Sequence, residues 1–164
     1  DYLGFLKSLG KFMPKKVVIL GAGGAARAVC YALRGKDITI MNRTLQKAKR
    51  LAKEFSCKYG KLSNLGNIDF DLLINTTSVG MYPHFKESLV PKDVLKYHAN
   101  SVIYDVIYNP IETTLIKDAK SAGCHAISGV DMFAYQAAEQ FKIWTGIDID
   151  TEFYRGIVLE ELDK

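Results

Sequence analysis

Val17-Val18-Ile19-Leu20-Gly21-Ala22-Gly23-Gly24-Ala25-Ala26-Arg27 is the stretch whose reading decides the fold. Its first four residues are a continuous apolar run of the kind that marks a strand buried on both faces. From residue 25 to residue 34 good helix formers follow, among them Ala28, Val29, Tyr31, Ala32 and Leu33. Strand, glycine turn and helix in that order predict a G-x-G-x-x-A phosphate-binding turn, with Ala26 at the third position, where a small residue packs the helix on the strand. Gly21 makes the tight turn and Gly23 lets the backbone approach a pyrophosphate. The free N–H groups where the helix starts, over Ala22, Gly24 and Ala25, supply donors and a favourable dipole. Two other readings compete: a purely structural glycine turn, and the turn of a methyltransferase that binds S-adenosylmethionine.

Working outward, Gly35 closes the first helix, residues 37–41 read as a second strand and 45–55 as a second helix. Further strands are expected over 70–74, 101–108 and 125–127, and helices over 112–122, 130–144 and 150–162. Before the glycine turn, Tyr2, Leu3, Phe5, Leu6 and Leu9 fit one face of a helix that ends near Gly10. Strands alternating with helices of this length imply right-handed crossovers, so the expected class is α/β: a Rossmann-like, doubly wound, mostly parallel sheet with helices on both faces.

The 164 residues suit one domain of about 150 residues. Apolar residues make up 48%, and no run approaches the roughly 18 consecutive apolar residues of a membrane-spanning helix, so a soluble protein with no membrane partner is expected. Cys30, Cys57 and Cys124 form no CxxC pair, which argues against a disulfide framework or zinc site and for a reducing, cytoplasmic setting. His84, His98 and His125 are isolated and read as surface or packing residues, with no metal implied. The net charge of +4 favours a small anionic ligand over nucleic acid. The chain begins without Met or a signal peptide, on a helical pattern, and reads as a fragment.

In dinucleotide-binding folds a carboxylate after the second strand holds the ribose 2′-OH of NAD, whereas Arg accommodates the 2′-phosphate of NADP. Here the sequence is Asn42-Arg43-Thr44, with Lys47 one turn later, and no acid is available. Arg43 can stack on adenine and donate to phosphate, Thr44 can cap the helix and donate its hydroxyl, and Lys47 adds charge. These residues point to NADP. The blander reading makes Asn42 or Thr44 an ordinary cap and leaves Arg43 and Lys47 solvated; the other cations of the 45–55 helix read mostly as a solvated face.

With these residues in place, the sequence resembles the cofactor half of the shikimate dehydrogenase family. The glycine turn and the Asn42-Arg43-Thr44 triplet are shared with other reductases, such as glutamyl-tRNA reductase. Four further blocks carry the resemblance in order: Asp1-Tyr2-Leu3-Gly4-Phe5, Asn75-Thr76-Thr77-Ser78-Val79-Gly80-Met81, Tyr104-Asp105-Val106-Ile107-Tyr108-Asn109-Pro110 with Thr113 and Leu115, and Gly129-x-x-Met132 with Gln136 and residues 141–146.

The resemblance implies reduction of 3-dehydroshikimate to shikimate with NADPH, in chorismate and aromatic amino-acid biosynthesis. It implies that Thr76, Thr77 and Ser78 lie beside the nicotinamide ribose, and that Val106, Gly129 and Met132 lie near the nicotinamide. Tyr108 and Gln136 become substrate-side residues, and Asp1 a catalytic residue that holds a proton-donating lysine and orients a substrate hydroxyl. That lysine and the substrate domain are absent from this chain. All 164 residues are expected to form one NADP-binding domain, with helices at 1–10 and 148–164 bridging to the absent half. Their apolar residues would then leave a patch prone to self-association. Quinate dehydrogenase and a stand-alone NADP-binding sensor remain alternatives.

Overall fold

In the computed structural model, which describes residues 1–162, six parallel strands form one sheet: β1 (Lys16–Leu20), β2 (Asp37–Asn42), β3 (Lys58–Lys61), β4 (Leu72–Asn75), β5 (Val102–Asp105) and β6 (His125–Ile127). Their order is β3-β2-β1-β4-β5-β6, which reverses direction between β1 and β4. The helices are α1 (Tyr2–Leu9), α2 (Gly24–Ala32), α3 (Leu45–Phe55), α4 (Lys92–Tyr97), α5 (Thr114–Ser121), α6 (Val130–Thr145) and α7 (Thr151–Leu162). The expected doubly wound class is therefore found, and every strand pair is parallel. Asp163 and Lys164, counted in the expected domain, lie outside the described residues.

Successive strand side chains point to opposite faces, so β1 feeds two cores. Val17 and Ile19 pack with Phe5 of α1, Val29 and Cys30 of α2 and Leu51 of α3, together with Tyr104 and Met132. Val18 and Leu20 face the other layer, with Phe70, Leu95 of α4 and Leu115 of α5. Helix α1 is drawn against α6 because Gly4 has no side chain: a Cβ there would stand 2.8 Å from the Met132 carbonyl and 3.1 Å from the Gln136 nitrogen.

Several expected boundaries move. The helix expected to end at residue 34 stops at Ala32, where the Leu33 N–H bonds the Val29 carbonyl, and Gly35 follows with φ 86°. The strand expected over 101–108 ends at Asp105, because the Val106 N–H crosses to the Asn75 carbonyl and the Ile107 N–H turns back to the Asp105 carboxylate. Strand β3, the 3₁₀ turn Leu62–Asn67 and α4 were not expected. Lys58-Tyr59-Gly60-Lys61 is an edge strand with little buried side chain, held by its backbone pairing to β2. Gly10 and Gly123 have positive φ where their helices were expected to stop.

Candidate cofactor site

The strand β1 runs into Gly21 at the point where the strand order reverses, which is where open α/β sheets bind ligands. Gly21 has φ 108°, and its N–H bonds the Met41 carbonyl at 2.8 Å, tying the turn to the end of β2. A Cβ at Gly21 would lie 2.6 Å from Thr76 Oγ1, so the position excludes any side chain. Beyond it, nothing lies within 4 Å of where a Cβ at Gly23 or Gly24 would stand. The first bond into α2 runs from the Arg27 N–H to the Gly23 carbonyl. The N–H groups of Gly24, Ala25 and Ala26 therefore have no partner within the helix.

A cleft of about 390 Å³ lies beside this turn, lined by Gly21, Met41, Asn42, Arg43, Leu62, Thr77, Ser78, Val79, His84, Glu87 and Leu89. Four expected nucleotide residues, Asn42, Arg43, Thr77 and Ser78, meet here with Gly21. Thr44 occupies the N-cap position of α3 but makes no side-chain capping bond; Asn42 Nδ2 donates to its carbonyl at 3.0 Å. No acid stands in the sequence at the end of β2, but Glu87 lines the same cleft and bonds His84 Nδ1 at 2.8 Å. It comes from a distant loop, folded back by bonds from the N–H groups of Gly80 and Glu87 to the His84 carbonyl. His84, read as a surface or packing residue, is exposed and lines this cleft. Lys47 and Ala22 line a second, smaller cleft on the other side of the turn.

Beneath the first cleft lies a network that the sequence reading missed. Asn75 and Asp105 end adjacent strands β4 and β5 in register, and both are buried. Asn75 Nδ2 donates to Asp105 Oδ1 at 3.0 Å and to the Val79 carbonyl at 3.1 Å. Its Oδ1 accepts from the Thr77 N–H and hydroxyl, and the Thr77 hydroxyl oxygen in turn accepts from the Val79 N–H. Asp105 also accepts from the Ile107 N–H at 3.2 Å and from the Thr113 hydroxyl at 2.7 Å, while Thr113 caps α5. Burial pushes the Asp105 carboxyl up to about 6 from 3.8, against the pull of these three hydrogen bonds. One buried carboxyl therefore joins the 75–79 loop to the 106–108 loop. The available sequence signal was a polar residue closing an otherwise apolar strand, Leu-Leu-Ile-Asn and Val-Ile-Tyr-Asp.

The remaining expected residues are dispersed around these loops. The Thr76 hydroxyl is committed inward, donating to the Leu20 carbonyl at 2.7 Å. Gly129 sits against the 106–107 backbone so closely that a Cβ would fall 2.1 Å from the Val106 carbonyl. The Met132 side chain belongs to the core, whereas Gln136, one turn on, is half-buried. Tyr108 is half-buried and stacks on Phe133 of α6 at 4.2 Å between ring centres. Asp1 is exposed at the N-cap position of α1; its side chain makes no capping bond, and it shares a shallow groove with Gly24. Among the described residues no group of three or more His, Cys, Asp or Glu is placed to hold a metal, and no helix is long and apolar enough to cross a membrane.

Residues 5–111 match the family model described as Shikimate / quinate 5-dehydrogenase, and residues 129–155 match that of the Shikimate 5'-dehydrogenase C-terminal domain. The chain belongs to the shikimate/quinate dehydrogenase family. Among its relatives in that family, the shikimate dehydrogenase (NADP(+)) of Pyrococcus abyssi is 45% identical over 170 residues, covering 100% of this chain and 62% of the relative. The shikimate dehydrogenase of Thermus thermophilus, solved with NADP(H) and shikimate, superposes with a TM-score of 0.86 at 33% identity, covering 98% of this chain and 61% of that one. The quinate dehydrogenase of Corynebacterium glutamicum, solved with NAD, superposes with a TM-score of 0.85 at 28% identity, covering 97% and 60%. The chain therefore spans about three fifths of the length of these family members.

Proposed function

We propose that this chain is the NADP-binding half of a cytoplasmic shikimate dehydrogenase, reducing 3-dehydroshikimate to shikimate together with a substrate domain outside the chain. The observation that carries the reading is the Gly21 turn at the β1/β4 reversal, which opens on free space at Gly23 and Gly24 and leads to Asn42 and Arg43 at the end of β2. The donor set fits a dinucleotide phosphate: unpartnered helix N–H groups meet the pyrophosphate, and cationic side chains lie on both sides of the turn.

Bound NADPH supplies the hydride. The chain's own residues hold and orient. Gly21, Ala22, Gly23, Gly24 and Ala25 cradle the pyrophosphate. Asn42, Arg43, Thr44 and Lys47 take the adenosine end, and Thr77 and Ser78 the nicotinamide ribose. Thr76 acts from behind, fixing the turn through the Leu20 carbonyl. Val106, Gly129 and Met132 form the edge beside the nicotinamide. Tyr108 and Gln136 offer polar tips to substrate hydroxyl or carboxylate groups. Asp1 orients a lysine of the substrate domain, which protonates the reduced oxygen.

That substrate domain also gives the exposed apolar side chains at the chain ends a partner. Leu3 and Leu6 of α1, Trp144 of α6, and Phe153 and Ile157 of α7 all stand exposed. Likeness to the quinate dehydrogenase keeps quinate as an alternative substrate.

Titration calorimetry of the chain with NADP and with NAD tests the cofactor assignment. NADP should bind more tightly, and Arg43→Ala should weaken it about tenfold, the scale of one charge-assisted hydrogen bond. Equal affinities of the unmutated chain for the two nucleotides would sink the assignment.

A further inference from the structure

The buried network under the first cleft uses every polar position of one side chain. A primary amide has two hydrogens to donate and two lone pairs on its oxygen to fill. The Asn75 hydrogens go to Asp105 Oδ1 and to the Val79 carbonyl, and its oxygen takes the N–H and the hydroxyl of Thr77. Turning the amide over would set its oxygen against a carboxylate and a carbonyl, and its hydrogens against an N–H. Asp105 therefore fixes which way Asn75 faces, and Asn75 in turn fixes Thr77. With the hydroxyl held inward, Thr77 turns its methyl group to the glycine turn, where Cγ2 would lie 3.1 Å from a Cβ at Gly21.

The same carboxyl reaches the next loop. Its Oδ1 also accepts from the Ile107 N–H, and the Ile107 carbonyl accepts from the Gly129 N–H at 2.9 Å. Residue 107 is thus held between Asp105 on one side and the start of α6 on the other. In a doubly wound sheet each half takes one mononucleotide, on either side of the point where the strand order reverses. Asn42 ends β2 in the half that holds β1 to β3, with Arg43 just beyond it, whereas Asn75 and Asp105 end β4 and β5 of the other half. Burial opposes the charge of Asp105, but only an acceptor in this place satisfies Asn75 and Ile107 together.

We propose that Asp105, acting through Asn75 and the Ile107 N–H, is a positioning residue for the nicotinamide nucleoside of the cofactor and takes no part in holding the adenosine half. Being fully buried, it touches no ligand. It sets the 75–79 and 106–108 loops in the mutual orientation in which both meet one nucleoside. This rests on the dinucleotide-binding reading above and assigns the placement of the reactive ring to a carboxyl that lies beneath the site.

The test is calorimetric titration of the chain at pH 8 with NADP and with adenosine 2′,5′-bisphosphate, which keeps the adenosine half and lacks the nicotinamide nucleoside. The parent should bind NADP more tightly than the bisphosphate. Asp105→Leu, similar in size and without an acceptor, should weaken NADP about tenfold, the scale of a lost hydrogen bond to a charged group, and leave the bisphosphate within twofold of the parent. Asp105→Asn keeps an acceptor for Asn75 and Ile107 and should recover most of the lost affinity. Asn75→Ser cuts the network on the β4 side alone and should repeat the pattern of Asp105→Leu, which keeps the test decisive if the leucine variant fails to fold. Parallel weakening of both ligands overturns the proposal, since Asp105 would then support the whole domain. So does NADP affinity within twofold of the parent's in Asp105→Leu or Asn75→Ser, or an Asp105→Asn variant as weak as Asp105→Leu. A parent that binds the bisphosphate as tightly as NADP also overturns it and leaves nucleotide binding standing. A parent that binds neither removes the dinucleotide reading, and this proposal with it.

Discussion

Replacing Asp105 by Asn should change how stability depends on pH, and the size of the change follows from the carboxyl's surroundings. The group is completely buried, and burial holds its folded pKa near 6 against 3.8 for an ordinary aspartate. Between those values the folded state keeps a proton that the unfolded chain releases. The folded state binds more protons there, so stability falls as pH rises. The favourable contribution is fully present below 3.8 and is lost as pH passes through about 6. The whole interval is worth about 3 kcal/mol, of which about 2 kcal/mol falls between pH 4 and pH 7.

The amide of Asp105→Asn keeps the shape. Its oxygen can still accept from Asn75 Nδ2 and the Ile107 N–H, and its nitrogen can donate to the Thr113 hydroxyl oxygen. It does not titrate. Urea unfolding of both proteins at half-unit steps from pH 4 to 7.5 cancels the titrations they share. The variant should gain about 2 kcal/mol on the parent across that range, roughly 1 M in urea midpoint for a typical slope. A parent–variant difference flat within about 0.5 kcal/mol would show that the hydrogen bonds from Thr113, Ile107 and Asn75 fully compensate burial, and would refute the reasoning.

Gly129→Ala places a methyl group where the Val106 carbonyl would be 2.1 Å away, so the 106–108 loop must move; a loss of about 3 kcal/mol or more is expected in thermal or urea unfolding. Gly21→Ala combines a contact of 2.6 Å with φ 108°, and should abolish calorimetrically detectable nucleotide binding as well as lower the unfolding midpoint. With shikimate and NADP, the chain alone should turn over far below the roughly 10 per second of an ordinary enzyme, and a separately purified substrate domain should restore activity. Light scattering over a concentration series should show self-association through the exposed side chains of α1 and α7, suppressed when that domain is added; a monomer at every concentration counts against this surface.

The sequence by itself determined the parts that depend on short-range periodicity and backbone chemistry. The run 17–20, the turn at Gly21 and the helix after it could be read directly, because an apolar strand, a residue able to take φ 108° and a row of helix formers are neighbours along the chain. The helix 45–55 was read to its exact ends for the same reason. From these came the parallel architecture and the preference for an anionic nucleotide.

Tertiary structure decided what no local pattern encodes. Lys58–Lys61 is a strand only because β2 offers it an edge. Asn75 and Asp105, thirty residues apart, meet because β4 and β5 pair in register, and that meeting buries the carboxyl and raises its pKa. Glu87 lines Arg43's cleft only through the fold-back of a loop, while Arg27, Lys47 and Arg50 come to line one cleft with Ala22 only because α2 and α3 lie side by side. In each case the residue types were visible in the sequence. Their electrostatic consequences depend on distance and burial, which long-range packing sets.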